Sequence, residues 1–508
     1  MGSSKSEDVK ILLNSVISYA RILCTTVFSL LTVRYLIQAL GVEQYGIYSL
    51  VTGVVTILSF LHAAMTVSTQ RYLSFHQGIG DVEKLKEIFK CSFLLHVIIG
   101  LILVMLLFVI MYPLINSFLN INNRLIERTY YLYSGVIISI FFTIIVVPFN
   151  ALLISHENFR VDSIFLILKA GLLFSFAAVL HQFAEEYRLI IFSVTLVVIN
   201  IITFLCYFIY CVKKYSECSF SCVVNKKLLK EMTSFALWSL YTNLCYALNT
   251  QGINVVINKF YGAKMNAAYG IAFQINGQVK NLSQTLLSAM NPQIMKSEGR
   301  SDRERSIGVS VAASKIGFFL VSLVTIPCLY ILPRVVELWL GTTPEYVVSF
   351  TIFFLLANSI NQLTAGITPA IQAVGKIRQF QIVIGTTALI VLPVSYFLLE
   401  YNFSIYYVLY LLLSIEIITG IMKVWFFCEI FSMRKVWYLQ SVIFKMLAPF
   451  AITNVLLYTI IDSFRLDGII IISFLSFILY IITCYFLSLN KKEKEKIRSI
   501  VGFLIKKY

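Results

Sequence analysis

Residues 12–36 read LLNSVISYARILCTTVFSLLTVRYL, with Arg21 and Arg34 the only charged side chains in the run. A membrane-spanning helix needs about 20 mostly apolar residues, and this stretch supplies them. It is too long for the core of a signal peptide, and no small-residue cleavage site follows it. It therefore reads as a first transmembrane helix. Six of its polar residues, Asn14, Ser18, Arg21, Thr25, Ser29 and Thr32, recur at steps of three and four and so share one helical face. The other faces are mainly Ile, Leu, Val and Phe. A polar stripe along a spanning helix faces protein or water, not lipid.

The rest of the chain repeats the pattern. Further runs lie at 47–71, 91–112, 130–155, 163–183, 188–211, 232–258, 268–292, 309–333, 349–373, 380–399, 404–428, 438–461 and 468–489, which makes fourteen. Of the 508 residues, 59% are hydrophobic and 13% charged. A soluble domain carries about 25% charged residues. A soluble globular enzyme and a disordered chain are both excluded, since neither could hide so much apolar surface. The net charge of +16 does not point to nucleic acid, because the basic residues sit between apolar runs rather than in one patch. Cys211, Cys218 and Cys222 cluster in a basic loop without C-x-x-C spacing or a nearby histidine, and read as free thiols, not a metal site.

Lysine and arginine set the orientation. With the N-terminus cytoplasmic, 26 of the 41 basic residues fall in cytoplasmic segments and 7 in the opposite connections. Both termini of this multi-pass protein are then expected to face the cytoplasm. The expected organisation is an N-terminal lobe of six helices (1–211), a basic cytoplasmic linker (212–231), a C-terminal lobe of six (232–428), an appended helix pair (438–489), and a basic tail (490–508) with amphipathic spacing that would lie on an anionic leaflet. At a shift of 221 residues Gly41 falls on Gly262, Tyr48 on Tyr269 and Gly78 on Gly299. Six spans per half would relate the halves by an axis along the membrane normal.

Polar groups concentrate in a few runs. The seventh carries Asn243, Asn249, Gln251, Asn254 and Asn258. The eighth carries Gln274, Asn276, Gln278, Lys280, Asn281, Gln284 and Asn291, and the tenth Asn358, Asn361, Gln362 and Gln372. Amides both donate and accept, which suits sugar hydroxyls. The eighth run is expected to border a wet cavity. Among ionisable groups Arg21, Lys280 and Lys315 are candidate contacts for an anionic substrate. Asn14, Ser18, Thr25, Asn249, Asn254, Gln274, Gln278, Asn281 and Gln284 are candidate cavity-lining groups. Glu416 is either a salt-bridge partner or a proton or cation site. Arg34, Arg71, Lys169 and Lys423 read as close enough to helix ends to snorkel. The first half shows no acid in mid-span.

The stretch Leu40-Gly41-Val42-Glu43-Gln44-Tyr45-Gly46-Ile47-Tyr48 resembles the loop between helices 1 and 2 of bacterial polysaccharide-unit flippases, the Wzx-type O-antigen and capsule transporters. Leu338-Trp339-Leu340-Gly341 with Pro344, and Ala370-Ile371-Gln372-Ala373-Val374-Gly375-Lys376-Ile377, are similar to the second half of that family. The family sits in the superfamily that also holds MATE multidrug exporters and lipid II flippases. The resemblance implies an all-α membrane fold, with two six-helix lobes around a central cavity and two appended C-terminal helices forming a groove for a lipid tail. It implies a substrate, an undecaprenyl-pyrophosphate-linked oligosaccharide flipped from the cytoplasmic to the periplasmic leaflet for surface polysaccharide biosynthesis. Lipid II flippases place cations in helices 1, 2 and 8. Arg21 and Lys280 occupy similar helices, whereas the second run offers only Arg71, at its end. No cofactor is implied, and H⁺ or Na⁺ would be the coupling ion if one is used. The implied partners are the lipid-linked glycan, membrane lipid and other assembly proteins such as the polymerase, with no nucleic acid. A pyrophosphate diester carries about two negative charges, which a cationic cavity would stabilise. An inside-negative potential favours its outward movement by about 2.3 kcal/mol per charge per 100 mV. The alternatives are a cation-coupled MATE-type drug exporter, which needs a buried carboxylate, and a membrane-embedded polymerase or acyltransferase, which needs an intramembrane catalytic constellation. His62 and His96 lie in spans without an acidic neighbour in sequence, and read as packing residues.

Overall fold

The computed structural model describes residues 2–56, 59–118, 123–218, 225–340, 345–464, 468–489 and 493–494. These form α-helices and short helical turns, without a strand among the described residues. In chain order the helices are α1 (Gly2–Thr56), α2 (Ser59–Ile79), α3 (Val82–Pro113), α4 (Ile126–Ser155), α5 (Phe159–Val179), α6 (Glu185–Lys214), α7 (Lys226–Gly299), α8 (Arg303–Leu340), α9 (Val347–Gln362), α10 (Ile367–Val374), α11 (Arg378–Glu400), α12 (Ile405–Ile430), α13 (Lys435–Tyr438), α14 (Phe444–Phe464) and α15 (Ile469–Leu487).

Helix ends follow local chemistry. The Asp81 side chain accepts from the Lys84 amide and so caps α3. Asn225 accepts from the amides of Lys227 and Leu228 and caps α7. Gly375 closes α10 in the left-handed conformation, with φ 91°.

Ten described helices are long and apolar enough to cross a membrane, and α9 with α10, bent by 43°, supplies an eleventh as a broken span. The three other expected spans are helical too. The run 47–71 is covered by the end of α1 and by α2, with 57–58 outside the described residues. The runs 232–258 and 268–292, the amide-rich ones, both lie in the 74-residue α7. The protein is a multi-span, all-α membrane protein.

Two breaks mark the long helices. Gly41 interrupts α1 at φ 77°, ψ 169°, and Gly262 interrupts α7 at φ 75°, ψ −170°. This region of backbone space is essentially reserved for glycine. The two glycines that coincide at the 221-residue shift thus share one unusual conformation.

Contacts divide the chain into two compact units. One holds residues 11–243 and 295–301, and the other holds 1–10, 244–294 and 302–508. In the first, α4 packs along α6 and α3, and α5 along α6. Its core joins Leu36, Leu40, Leu132, Tyr133, Ile137 and Phe192, and Tyr48 meets Phe192 edge-on at 5.1 Å. In the second, α9 packs on α8 and α12, and α15 on α14 and α8. Its main core joins Ile257, Tyr269, Val347, Phe350, Phe354 and Leu409, and Tyr269 meets Phe354 edge-on at 5.1 Å. The paired tyrosines thus play similar parts as edge-to-face anchors, Tyr269 buried and Tyr48 half-buried. Apart from Glu493 and Lys494, the expected amphipathic tail lies outside the described residues, as do Cys222, Gly341, Pro344 and the side chain of His62.

Candidate functional site

In the N-terminal unit most of the polar stripe of α1 turns inward, with Arg21 and Thr25 half-buried and Ser29 exposed. Asn14 and Ser18 are buried. The Thr25 hydroxyl donates to the Arg21 carbonyl, and Thr32 to that of Phe28. Arg21 itself extends to α5, where Nη1 donates to Asp162 Oδ2 at 2.8 Å. Asp162 is 1% exposed. Its other oxygen accepts from the Tyr207 hydroxyl on α6, at 2.7 Å, and from the Asn150 amide on α4. A buried carboxylate is tolerable only with such partners, and here four helices converge on one.

The sequence does not mark Asp162 as a buried group. The turn at His156–Asn158 starts α5 at Phe159, so the acid falls inside the first turn rather than in the preceding loop. The absence of a mid-span acid in the first half therefore does not deprive this unit of a buried carboxylate. Lys169 also departs from expectation. It lies at the middle of Phe159–Val179, seven residues after Asp162, and its ammonium is held by Asn200 Oδ1 at 2.8 Å. Thr143 donates to the same oxygen, and no carboxylate among the described residues pairs with Lys169. Arg71 is not extended toward an interface: its guanidinium stacks over Tyr72, Phe75 and Phe235.

The C-terminal unit carries the second cluster. Glu416 on α12 accepts from the Asn361 amide on α9 at 2.8 Å. Lys423, two turns further along α12, is 6% exposed and lies within electrostatic range of Glu416 and of Lys280 on α7. Tyr246 on α7 lies within range of Glu416 as well. Lys423 therefore belongs to a mixed-charge cluster rather than to a helix end.

Lys280 makes no ion pair among the described residues. It is exposed, as are Gln274, Gln278, Asn281 and Gln284 on the same broad face of α7. A spanning helix cannot turn four amides and an ammonium to lipid, so this face suits contact with water or a polar ligand. Asn249 and Asn254, earlier in α7, are less exposed, and each has a buried amide oxygen without a hydrogen-bond partner. Lys315, on α8, is 7% exposed and bonds Glu493 of the tail at 2.7 Å.

No family model matches the chain, and no curated protein matches it. Solved structures do. A crystal structure of a mutant MATE aligns with TM-score 0.73 at 14% identity, over 84% of this chain and 96% of that one. A MOP superfamily transporter from Pyrococcus furiosus, for which reverse polarity of the binding pocket suggests a different function, aligns with TM-score 0.72 at 15% identity over the same shares. An outward-facing multidrug resistance MATE transporter of the MOP superfamily aligns with TM-score 0.71, again at 15% identity over 84% and 96%. The fold is that of the MATE transporters. Within this MATE-like fold, the two clusters differ in their balance of charge: Arg21 in the N-terminal unit is neutralised by Asp162, while Lys280 in the C-terminal unit stands on an open polar face.

The acids that partner the predicted cations escape a reading of the sequence because they are distant in it. Asp162 is 141 residues from Arg21 and Glu493 is 178 from Lys315. The available signal was charge itself: a cation deep in a span calls for an acid somewhere, and Asp162 opens the apolar run 163–183.

Proposed function

We propose that this chain is an exporter that works by alternating access and carries an anionic, sugar-bearing amphiphile, with a lipid-linked oligosaccharide as the cargo class. The observation that carries the reading is Lys280. It is an exposed mid-span cation flanked on its face by Gln274, Gln278, Asn281 and Gln284. A cationic drug would meet repulsion there, whereas a phosphate-bearing headgroup would find a counter-charge and its sugars would find amide donors and acceptors. The loop motifs at 40–48 and 338–344 support the same reading.

The second reading is a cation-coupled MATE-type exporter, and the structural likenesses weigh toward it. The observation within the chain that favours it is Asp162, a buried carboxylate among Arg21, Asn150 and Tyr207. One experiment separates the two. Deletion of the gene in its host, with lipid-linked intermediates and surface polysaccharide quantified, should give accumulated undecaprenyl-linked units and lost surface glycan. Unchanged glycan together with raised sensitivity to cationic dyes would replace the first reading with the second.

A further inference from the structure

A groove of the N-terminal unit lies between α5 and α6, with a volume of about 520 Å³. Its walls are apolar, with Phe165 on α5 and Ile202, Leu205 and Ile209 on α6, and it ends at Lys213 and Lys214. The three aliphatic residues stand well exposed, between 37% and 49%. Both lysines are exposed and occupy the last turn of α6.

Length and charge together select an occupant. From Ile202 to Lys213 the helix rises about 16 Å at 1.5 Å per residue. That is about half of the roughly 30 Å hydrocarbon core. The groove therefore matches one leaflet and not the full bilayer, and its basic end falls where that leaflet's headgroups lie. The lysines are also favourably placed at the negative end of the α6 dipole, which holds them in register with the interface.

We propose that the groove between α5 and α6 is a binding site for an anionic phospholipid, with an acyl chain along Phe165, Ile202, Leu205 and Ile209 and the phosphate held by Lys213 and Lys214. The site backs onto the Asp162 cluster, Phe165 meeting Tyr207 edge-on at 4.8 Å, but uses none of that cluster's polar groups and does not depend on what the protein exports. Two lysines at an interface should favour an anionic over a zwitterionic lipid by roughly tenfold.

The test uses the full chain purified in detergent, with bound lipid counted by native mass spectrometry during titration with phosphatidylglycerol, phosphatidylcholine or glycerol phosphate. Phosphatidylglycerol is expected to be retained roughly tenfold better than phosphatidylcholine. The preference should disappear in the Lys213→Gln, Lys214→Gln double variant. Ile209→Trp, which fills the groove at an exposed position, should lower retention of both lipids. A double variant that keeps the preference would overturn the proposal. So would an Ile209→Trp protein that retains lipid normally, or glycerol phosphate binding as well as the lipid, which would mark a phosphate site without a chain site.

Discussion

Gly78 and Gly299 lie in one reciprocal backbone contact. A Cβ on Gly78 would stand 2.2 Å from the Lys296 carbonyl oxygen, and one on Gly299 would stand 2.0 Å from that of Phe75. Residues 75 and 296, like 78 and 299, are 221 apart in sequence. The crossing of α2 with the end of α7 thus obeys the same shift as the glycines at Gly41 and Gly262. Either Gly→Ala substitution must push backbone from backbone, at an expected cost of about 1–3 kcal/mol. Thermal unfolding in detergent should show it, and the Gly78→Ala, Gly299→Ala pair should fall short of additivity because both strain one contact. Full additivity would mean that the two glycines do not share a contact.

The breaks at Gly41 and Gly262 give a second stability test. Nothing stands within 4 Å of a Cβ built on either, so the only penalty for alanine is conformational. Each Gly→Ala change should destabilise by about 1–3 kcal/mol. Gly46 is also open but helical. There the same substitution should leave stability unchanged or raise it by about 0.5–1 kcal/mol. Equal effects at all three positions would count against the backbone explanation.

Arg21 and Asp162 form a pair whose breaking and removal should differ. Asp162→Asn leaves the guanidinium unpaired among helices and should cost about 3–5 kcal/mol. Removing both charges with Arg21→Gln and Asp162→Asn should recover much of that loss. Transport measured in the double variant then assigns the pair's role: recovered export makes Arg21 structural, whereas lost export in a stably folded double variant makes it a functional cation.

Lys280 should behave in the opposite way. Being exposed, Lys280→Gln should leave the melting temperature unchanged. Loss of a contact worth about 1.4 kcal/mol would lower transport about tenfold. Lys280→Arg should retain most activity. A Lys280→Gln protein with normal export would remove the observation on which the proposed cargo rests.

On the side assigned to the cytoplasm, His156 Nε2 meets Glu217 Oε1 at 2.9 Å, and the imidazole stacks on Tyr215. The hydrogen bond from His156 holds the Glu217 carboxyl below its ordinary range, against the opposing effect of burial. A carboxyl depressed by folding stabilises above its unfolded value of about 4.3 and loses that contribution as pH falls through the folded value. The 215–218 turn should therefore stay closed from neutral pH to below the unfolded carboxyl value of about 4.3, and open only as the pH falls further. Hydrogen exchange at Tyr215–Cys218 reads this directly, and His156→Ala should open the turn already at pH 7.

The sequence discloses the features that are local. Fourteen apolar runs, the correspondence of Gly41 with Gly262, and the amide-rich stretches of α7 are legible, because apolar length and composition belong to single helices; the expected loops at 37–46 and 259–267 are instead helix interrupted at one glycine each. Burial of Asp162 depends on where α5 begins, which the turn at His156–Asn158 decides. The placement of Lys169 beside Asn200 depends on how α5 packs on α6. Neither packing relationship leaves a periodic trace in the chain.

The spacing of Arg21 and Asp162 along the chain also has a consequence in time. At synthesis rates of about 5–20 residues per second, the 141 residues between them take roughly 7–28 s to make. Throughout that interval the first helix carries an arginine in the membrane before its counter-charge exists, at a cost of about 2.5–3.5 kcal/mol on insertion scales. Helix 1 must wait in a wet or assisted setting until α5 arrives, so assembly of the N-terminal unit is completed by its later helices and not by its first.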